Sequence, residues 1–427
     1  MKEDNNSQLS IINSPLIPPG YKQTEVGVIP EEWHTEAVAN LVEPTAPICY
    51  GVVQVGQHTE SGVPIVAIKF VKEIAHAPLH RTATSLEQPY ARSRPRGGDV
   101  LISIKGTIGR VGIVPNGFKG NISRELARLR IGEDTSAEYI AHQLEAEATQ
   151  ERIMRSVVGT TRLEFSIATL RKFPLPLPPT KEEQKAIAEA LSDADALIES
   201  LEQLLTKKRH LKQGAMQELL TGKKRLPGFE IKPGYKQTEV GVIPEDWNVT
   251  KLAATCSMKS GEGITSPSID QFSEYPCFGG NGLRGFTTRF THDGHYALIG
   301  RVGALCGNVL GVEGKFFASE HAIVVTASAR TDTRWLTFVL GEMQLNHYSE
   351  SSAQPVLTVS KLLKLEVAHP PTKAEQEAIA AILSDMDAEI AALETKLTKT
   401  RQLKQGMMQE LLTGRIRLIN EKRDDED

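Results

Sequence analysis

Two glycine-rich stretches have residue types and spacing that could hold a phosphate: Ile104-Lys-Gly-Thr-Ile-Gly-Arg-Val-Gly112 and Ile299-Gly-Arg-Val-Gly-Ala-Leu-Cys-Gly307. A strand that ends in a cation and a glycine turn lets backbone amides come close to a phosphate, while Lys105 or Arg301 supplies charge. Arg110 lies in the first stretch, and Arg284 and Arg289 follow a third glycine turn, Gly279-Gly-Asn-Gly282. A guanidinium fork suits the guanine edge in a major groove. With Arg124 and Arg162, these seven cations are the candidate DNA contacts. Taken singly, each is equally an ordinary hairpin turn or a solvated side chain.

Other chemistries find no home. The chain has no Gly-x-x-x-x-Gly-Lys-Ser/Thr phosphate loop, and its Gly-x-Gly-x-x-Gly, Gly280–Gly285, lies in a glycine turn with no helical pattern after it, so nucleotide-driven or dinucleotide chemistry is not expected. An Asn-Pro-Pro-Tyr tetrapeptide for base methylation is missing as well. His292, His295 and His321 lack a further ligand at recognisable spacing, and Glu320-His321 has no nucleophile beside it, so neither a metal nor a catalytic site is expected. Cys49, Cys256, Cys277 and Cys306 lie far apart and read as plain buried thiols.

The 427 residues suffice for two or three domains, and no apolar run is long enough to span a bilayer. The polar start Met-Lys-Glu-Asp-Asn-Asn has no apolar signal core, so a cytoplasmic location is expected. The net charge of -4 is unlike that of a simple nucleic-acid binder. It conceals a basic region: from Arg81 to Arg130 ten cations stand against Glu87, Asp99 and Glu125. Acid collects after Thr180, after Thr372 and in Asp424–Asp427.

The elements that must position these residues come twice. Pro19-Gly-Tyr-Lys-Gln-Thr-Glu-Val-Gly-Val-Ile-Pro30 recurs unchanged at Pro233–Pro244, and each copy runs through two acids to Trp33 or Trp247. A second shared block begins at Pro178 and Pro370 and ends in Leu-Leu-Thr-Gly at Gly222 and Gly414. Thr180 with Glu183, and Thr372 with Glu375, form capping boxes that start a helix. Apolar residues then recur at alternating spacings of four and three: Ile187, Leu191, Ala194, Ile198, Leu201 and Leu205, matched by Ile379, Leu383, Met386, Ile390, Leu393 and Leu397. This is the seam of a coiled coil, and antiparallel pairing of the two is the simplest way to bury it. Gly214 and Gly406 are candidate kinks.

Between the shared blocks lie two middles that scarcely align. Both read as mixed α/β. Val63–Lys69, Val100–Ile104 and Ala322–Thr326 are expected strands, and Ala137–Met154 and Thr333–Tyr348 expected helices. The expected class is α+β: a pseudo-twofold tandem repeat with two globular domains and two long helices. The expected parts are a loose end (1–18), an opening segment and first domain (19–178), a first helix (179–222), a linker, opening segment and second domain (223–370), a second helix (371–414) and a charged tail (415–427).

The repeated Gly-Val-Ile-Pro-Glu-x-Trp segments, the Gly98-Asp-Val-Leu-Ile-Ser103 run, the Pro-Pro-x-x-x-Glu-Gln approach to each helix and the helix ending at Gly406–Gly414 resemble the specificity subunit of Type I restriction-modification systems. The second copy departs mildly, with Ala368-His-Pro-Pro and Tyr296-Ala-Leu-Ile. The resemblance implies a non-catalytic chain whose two target-recognition domains bind the halves of a split, non-palindromic site in double-stranded DNA. The helices then act as spacer and docking surface. It implies two modification subunits carrying S-adenosylmethionine, restriction subunits using ATP and magnesium, and no cofactor in this chain. A specificity subunit of a smaller methylase-nuclease system and a coiled-coil scaffold that binds no DNA are the alternatives.

Overall fold

The computed structural model describes residues 17–157, 163–349 and 355–418. The chain divides into two compact units that do not follow its repeats: Met1–Ser200 with Leu397–Asp427, and Leu201–Lys396. The two long helices, Lys181–Leu219 and Lys373–Leu411, therefore each begin in one unit and end in the other. Both run unbroken through Gly214 and Gly406, where a kink was expected.

In the first unit a four-stranded sheet orders as Cys49–Tyr50, Leu126–Leu129, Val100–Ser103 and Val111–Ile113, all neighbours antiparallel. One face of Leu126–Leu129 turns Ala127 and Leu129 into the main core with Val100 and Ile102. The other turns Leu126 towards a smaller core under Val66, Val71 and Ile122. That smaller core is roofed by a three-stranded sheet of His80–Thr82, Val63–Val66 and Asn121–Ile122. The helix expected over Ala137–Met154 is two, Ala137–Glu145 and Glu147–Arg155, broken at Ala146 in an extended conformation. Leu144 and Ile153 are nine residues apart, which at about 100° per residue places them on opposite faces of a continuous helix. The break lets both enter the core.

In the second unit the sheet has six strands, and its first four repeat that order: Cys256–Ser260, Ala322–Ala327, His292–Gly300 and Val309–Ala318. The hairpin Tyr275–Gly279 and Gly282–Thr287 extends it beyond Val309–Ala318. Helix Thr333–Glu342 is capped by Asp332 and stops at Gln344, whose φ of 48° is left-handed and swings Leu345 into the core.

Both units receive their shared parts in the same way. The opening segments are hairpins, Tyr21–Thr24 with Gly27–Pro30 and Tyr235–Thr238 with Gly241–Pro244, leading to fully buried Trp33 and Trp247. Gly414, at φ +72°, lies beneath Pro30 and Trp33; a Cβ there would be 2.6 Å from Pro30 Cγ. Gly222 repeats this under Pro244 and Trp247, at 2.5 Å. No larger residue fits either place.

Within the first unit the start of one long helix meets the end of the other in antiparallel sense, since Asp195 pairs with Lys404 at 2.5 Å while Glu183 pairs with Arg417. In the second, Lys212 meets Asp387 and Lys208 meets Glu389, both at 2.5 Å. The seam is not uniform. Ile187 and Leu191 belong to the core of the first unit, and Ile379 and Leu383 to that of the second. Leu201, Leu205 and Leu397 are buried, whereas Ile198, Ile390 and Leu393 are half-buried. The capping boxes are half made: Thr180 and Thr372 accept from the amides of Glu183 and Glu375, but the two carboxylates turn elsewhere. Glu183 is held by Arg417, which also reaches Glu32 at 3.1 Å. Glu375 is held by Arg225 at 2.9 Å, and Arg225 reaches Asp246 at 2.6 Å. An equivalent acid-arginine-acid clamp thus ties opening hairpin, helix start and helix end in each unit.

Candidate nucleic-acid interface

The two glycine stretches fall at the same place in the repeated sheet. Ile104 N–H donates to Glu125 O at 2.8 Å, and Arg301 N–H to His321 O at 2.9 Å. Ile104 O accepts from Phe165 N–H, and Arg301 O from Leu357 N–H, both at 2.9 Å. Arg301 therefore stands where Ile104 stands, one residue before the position of Lys105. A shift of one residue in an extended segment moves a side chain to the other face. The two cations share a loop but not a direction.

Part of the backbone of each loop is already hydrogen-bonded. Gly109 N–H donates to Ser103 O at 2.9 Å, and Arg110 N–H to Ser103 Oγ at 2.8 Å. Gly307 N–H donates to Gly300 O at 2.8 Å in the same manner. These amides close the turns and are not available to a phosphate.

In the first unit, Lys105 pairs with Glu164 at 3.2 Å and Arg124 with its neighbour Glu125 at 3.1 Å, while Arg110 is exposed without an ion pair among the described residues. Because Ile104 bonds to Glu125, the Lys105 and Arg124 sites lie side by side at one sheet end. Arg162 lies outside the described residues. The basic region between Arg81 and Arg130 is less basic on the surface than in the sequence, since Arg94 is held by buried Glu87 and Arg130 by buried Asp99. Hydrogen bonding from Arg94 holds the Glu87 carboxyl below its ordinary range.

In the second unit the structure brings three arginines to one edge. Arg301 Nη1 donates to Ser260 Oγ at 3.2 Å, and Arg289 Nη1 meets Glu262 at 3.2 Å while its guanidinium lies 4.6 Å from the Phe317 ring centre. Arg284 packs its stem over Gly279, where a Cβ would lie 2.6 Å from Arg284 Cδ and 3.3 Å from Ser319 Oγ. Sequence reasoning missed Phe272, 95% exposed beside this edge. Its turn is fixed by Asp270, which accepts from Phe272 N–H at 2.8 Å and exchanges backbone hydrogen bonds with Phe286.

The histidines are otherwise engaged. His292 stacks on Phe316 with ring centres 5.3 Å apart, and His295 and His321 sit beside Glu313 and Glu320. Among the described residues no cluster of His, Cys, Asp and Glu could hold a metal, and no helix is long and apolar enough to cross a membrane. All four thiols are buried and unpaired, and burial pushes Cys256 up to about 11.

A family described as the Type I restriction modification DNA specificity domain matches residues 57–207 and 244–404, one match in each repeat. The chain belongs to that family. It is similar to the Type I restriction enzyme EcoprrI specificity subunit of Escherichia coli, 44% identical over 140 residues. That match covers 32% of this chain and only 35% of that protein. A putative type I restriction enzyme MjaX specificity subunit of Methanocaldococcus jannaschii is 25% identical over 427 residues, 93% of this chain and 97% of its own. The fold resembles the crystal structure of a Type I restriction-modification S subunit from M. genitalium, with a TM-score of 0.65 over 89% of this chain and 96% of that one, at 16% identity.

Proposed function

We propose that the chain is the DNA-reading subunit of a Type I restriction-modification complex and is itself non-catalytic. Each unit reads one half of a split, non-palindromic site, and the length of the helices in turns sets the spacing between the halves. The observation that carries this reading is one sheet order used twice with unrelated side chains at the same sheet end, in a chain of the specificity family. A frame repeated for any purpose indifferent to sequence has no need of two different edges. Lys105, Arg110, Arg124 and Arg162 serve the first half-site, and Arg284, Arg289 and Arg301 the second. Phosphate contacts dominate affinity, so binding weakens steeply with salt, and base contacts set preference.

The partners are two modification subunits, which supply S-adenosylmethionine, and restriction subunits, which supply ATP hydrolysis with magnesium. Exposed leucines on the long helices, Leu204 and Leu211 one heptad apart in the second unit and Leu403 in the first, support docking of protein there. The location follows as cytoplasmic. To test the reading, the chain is assembled with the modification subunit encoded beside it and methylated adenines are mapped. Methylation confined to a two-part motif, and absent without this chain, supports it; motif-independent methylation contradicts it.

A further inference from the structure

We infer that the first unit carries a phosphate-binding subsite centred on Arg128 and completed by Arg92 and Arg171. Arg128 lies on Leu126–Leu129 opposite Cys49 and is 2% exposed. Its Nη2 donates to Pro47 O at 3.0 Å and approaches Cys49 Sγ at 3.6 Å, while its Nε has no partner. Among the described residues no carboxylate is within ion-pair distance of it. A buried guanidinium left without counter-charge is costly, and an anion bound against it removes that cost.

The twin frame makes this arginine more pointed. The hydrogen bonds of Ile104 to Glu125 and of Arg301 to His321 set the two sheets in register, so Arg128 corresponds to Val324. Val324 is also 2% exposed and packs with Leu298, Phe316 and Ala318. The frame accepts an apolar residue at that place. A cation there answers a demand other than folding.

Arg128 lines a cavity of about 490 Å³ between the edge strand Cys49–Tyr50, the turn Gln88–Ser93 and the helix Ile167–Lys172. Arg92 from the turn and Arg171 from the helix are exposed at it, and neither has an ion pair among the described residues. Of the nearby acids, Glu87 is committed to Arg94 at 2.6 Å and Asp99 to Arg130, a fourth lining arginine, at 2.9 Å, while Glu43 acts on Arg130 as well. The turn bearing Arg92 is stiff, since Asn121 Nδ2 donates to Glu87 Oε1 at 2.6 Å and to Tyr90 O at 3.0 Å. Three guanidinium groups without a carboxylate partner among the described residues, set around one concavity, fit a phosphate group, which accepts from several donors at once. Tyr50, 43% exposed among the lining residues, offers a face to an attached sugar or base. The phosphate is either a backbone phosphodiester of bound DNA or that of a free nucleotide or phosphate ion.

The test uses the full chain in two arms. In one, thermal melting is followed as inorganic phosphate replaces chloride at constant ionic strength. In the other, duplex DNA binding is measured over a range of salt. The variants are the exposed double Arg92→Ala/Arg171→Ala and the buried Arg128→Met. Wild type is expected to gain stability from phosphate, and both variants to lose that gain; should Arg128→Met fail to fold, the double variant decides. A DNA source shows as a fall of about 0.9 in the salt slope for each phosphate that the variant no longer neutralises. Lost phosphate stabilisation with an unchanged slope supports the subsite with a free phosphate or nucleotide as occupant. No phosphate effect in wild type, or an undiminished one in the double variant, overturns it. Failure of wild type to bind DNA counts against the proposed function and leaves the phosphate arm standing on its own.

Discussion

The two units share a frame and differ in what they mount on it. Each has the hairpin, the buried tryptophan over a left-handed glycine, the acid-arginine-acid clamp and a four-stranded sheet of one order. Beyond that they diverge. The first roofs its sheet with three further strands and keeps a buried arginine where the second has a valine; the second lengthens its sheet by a hairpin and lines one edge with three arginines. Where the copies agree, residues meet others of the same chain. Where they disagree, they differ in part of the core and in the charged side chains at one sheet end. The agreement is explained by folding, and the disagreement fits the proposed reading of two different half-sites.

The largest expected effect breaks the shared part. Arg225 is nearly buried between Glu375 and Asp246, and burial already lifts Glu375 above the ordinary carboxylate range. Arg225→Met is expected to destabilise the second unit by about 3 to 5 kcal/mol, as for one partner removed from a buried pair. Arg417→Met, at a more exposed clamp, is expected to cost the first unit less. Domain-resolved denaturation checks both, and equal losses contradict the equivalence of design with unequal burial. Next come Leu191→Ala and Leu383→Ala, both fully buried, at about 2 to 5 kcal/mol each; each should weaken only the unit whose core it enters.

Arg301→Ala sharpens the difference between the units. It should cost about 1 to 3 kcal/mol of discrimination at one base of one half-site and leave the other half untouched, as read by methylation of a site library. Sequence preference and salt slope both unchanged would remove Arg301 from the interface. The smallest effect concerns His142, whose ring is held below its ordinary pKa by burial, then by Lys404, against Glu145, Asp195 and Glu138. The unfolded chain then binds the proton more readily, so stability of the first unit is complete above the unfolded value of about 6.5 and declines as pH falls below it. Melting of His142→Gln against pH should lose that component, and an unaltered profile contradicts it.

The repeat, the helices and their antiparallel sense were legible because a seam of alternating spacing is a one-dimensional signal. The sheet order was not, since Arg128 opposite Cys49 is a pairing over 79 residues that no local pattern announces. Glu183 and Glu375 looked like capping residues, but their arginine partners lie 234 and 150 residues away. Lys105 and Arg301 look equivalent in sequence, but the hydrogen bonds that match Ile104 to Arg301 set the two cations one residue apart. Of the ten cations from Arg81 to Arg130, sequence could not tell Arg94 and Arg130, committed to buried acids, from Arg92, which is uncommitted.

The central claim is that each middle reads its own half of the target. Its most direct measurement replaces residues 252–368 by the corresponding segment of a relative that differs there, keeps both long helices, and maps methylated adenines in complex with the modification subunit. The account predicts a new sequence in one half, with the other half and the spacing unchanged. Change in both halves, or in neither, contradicts it.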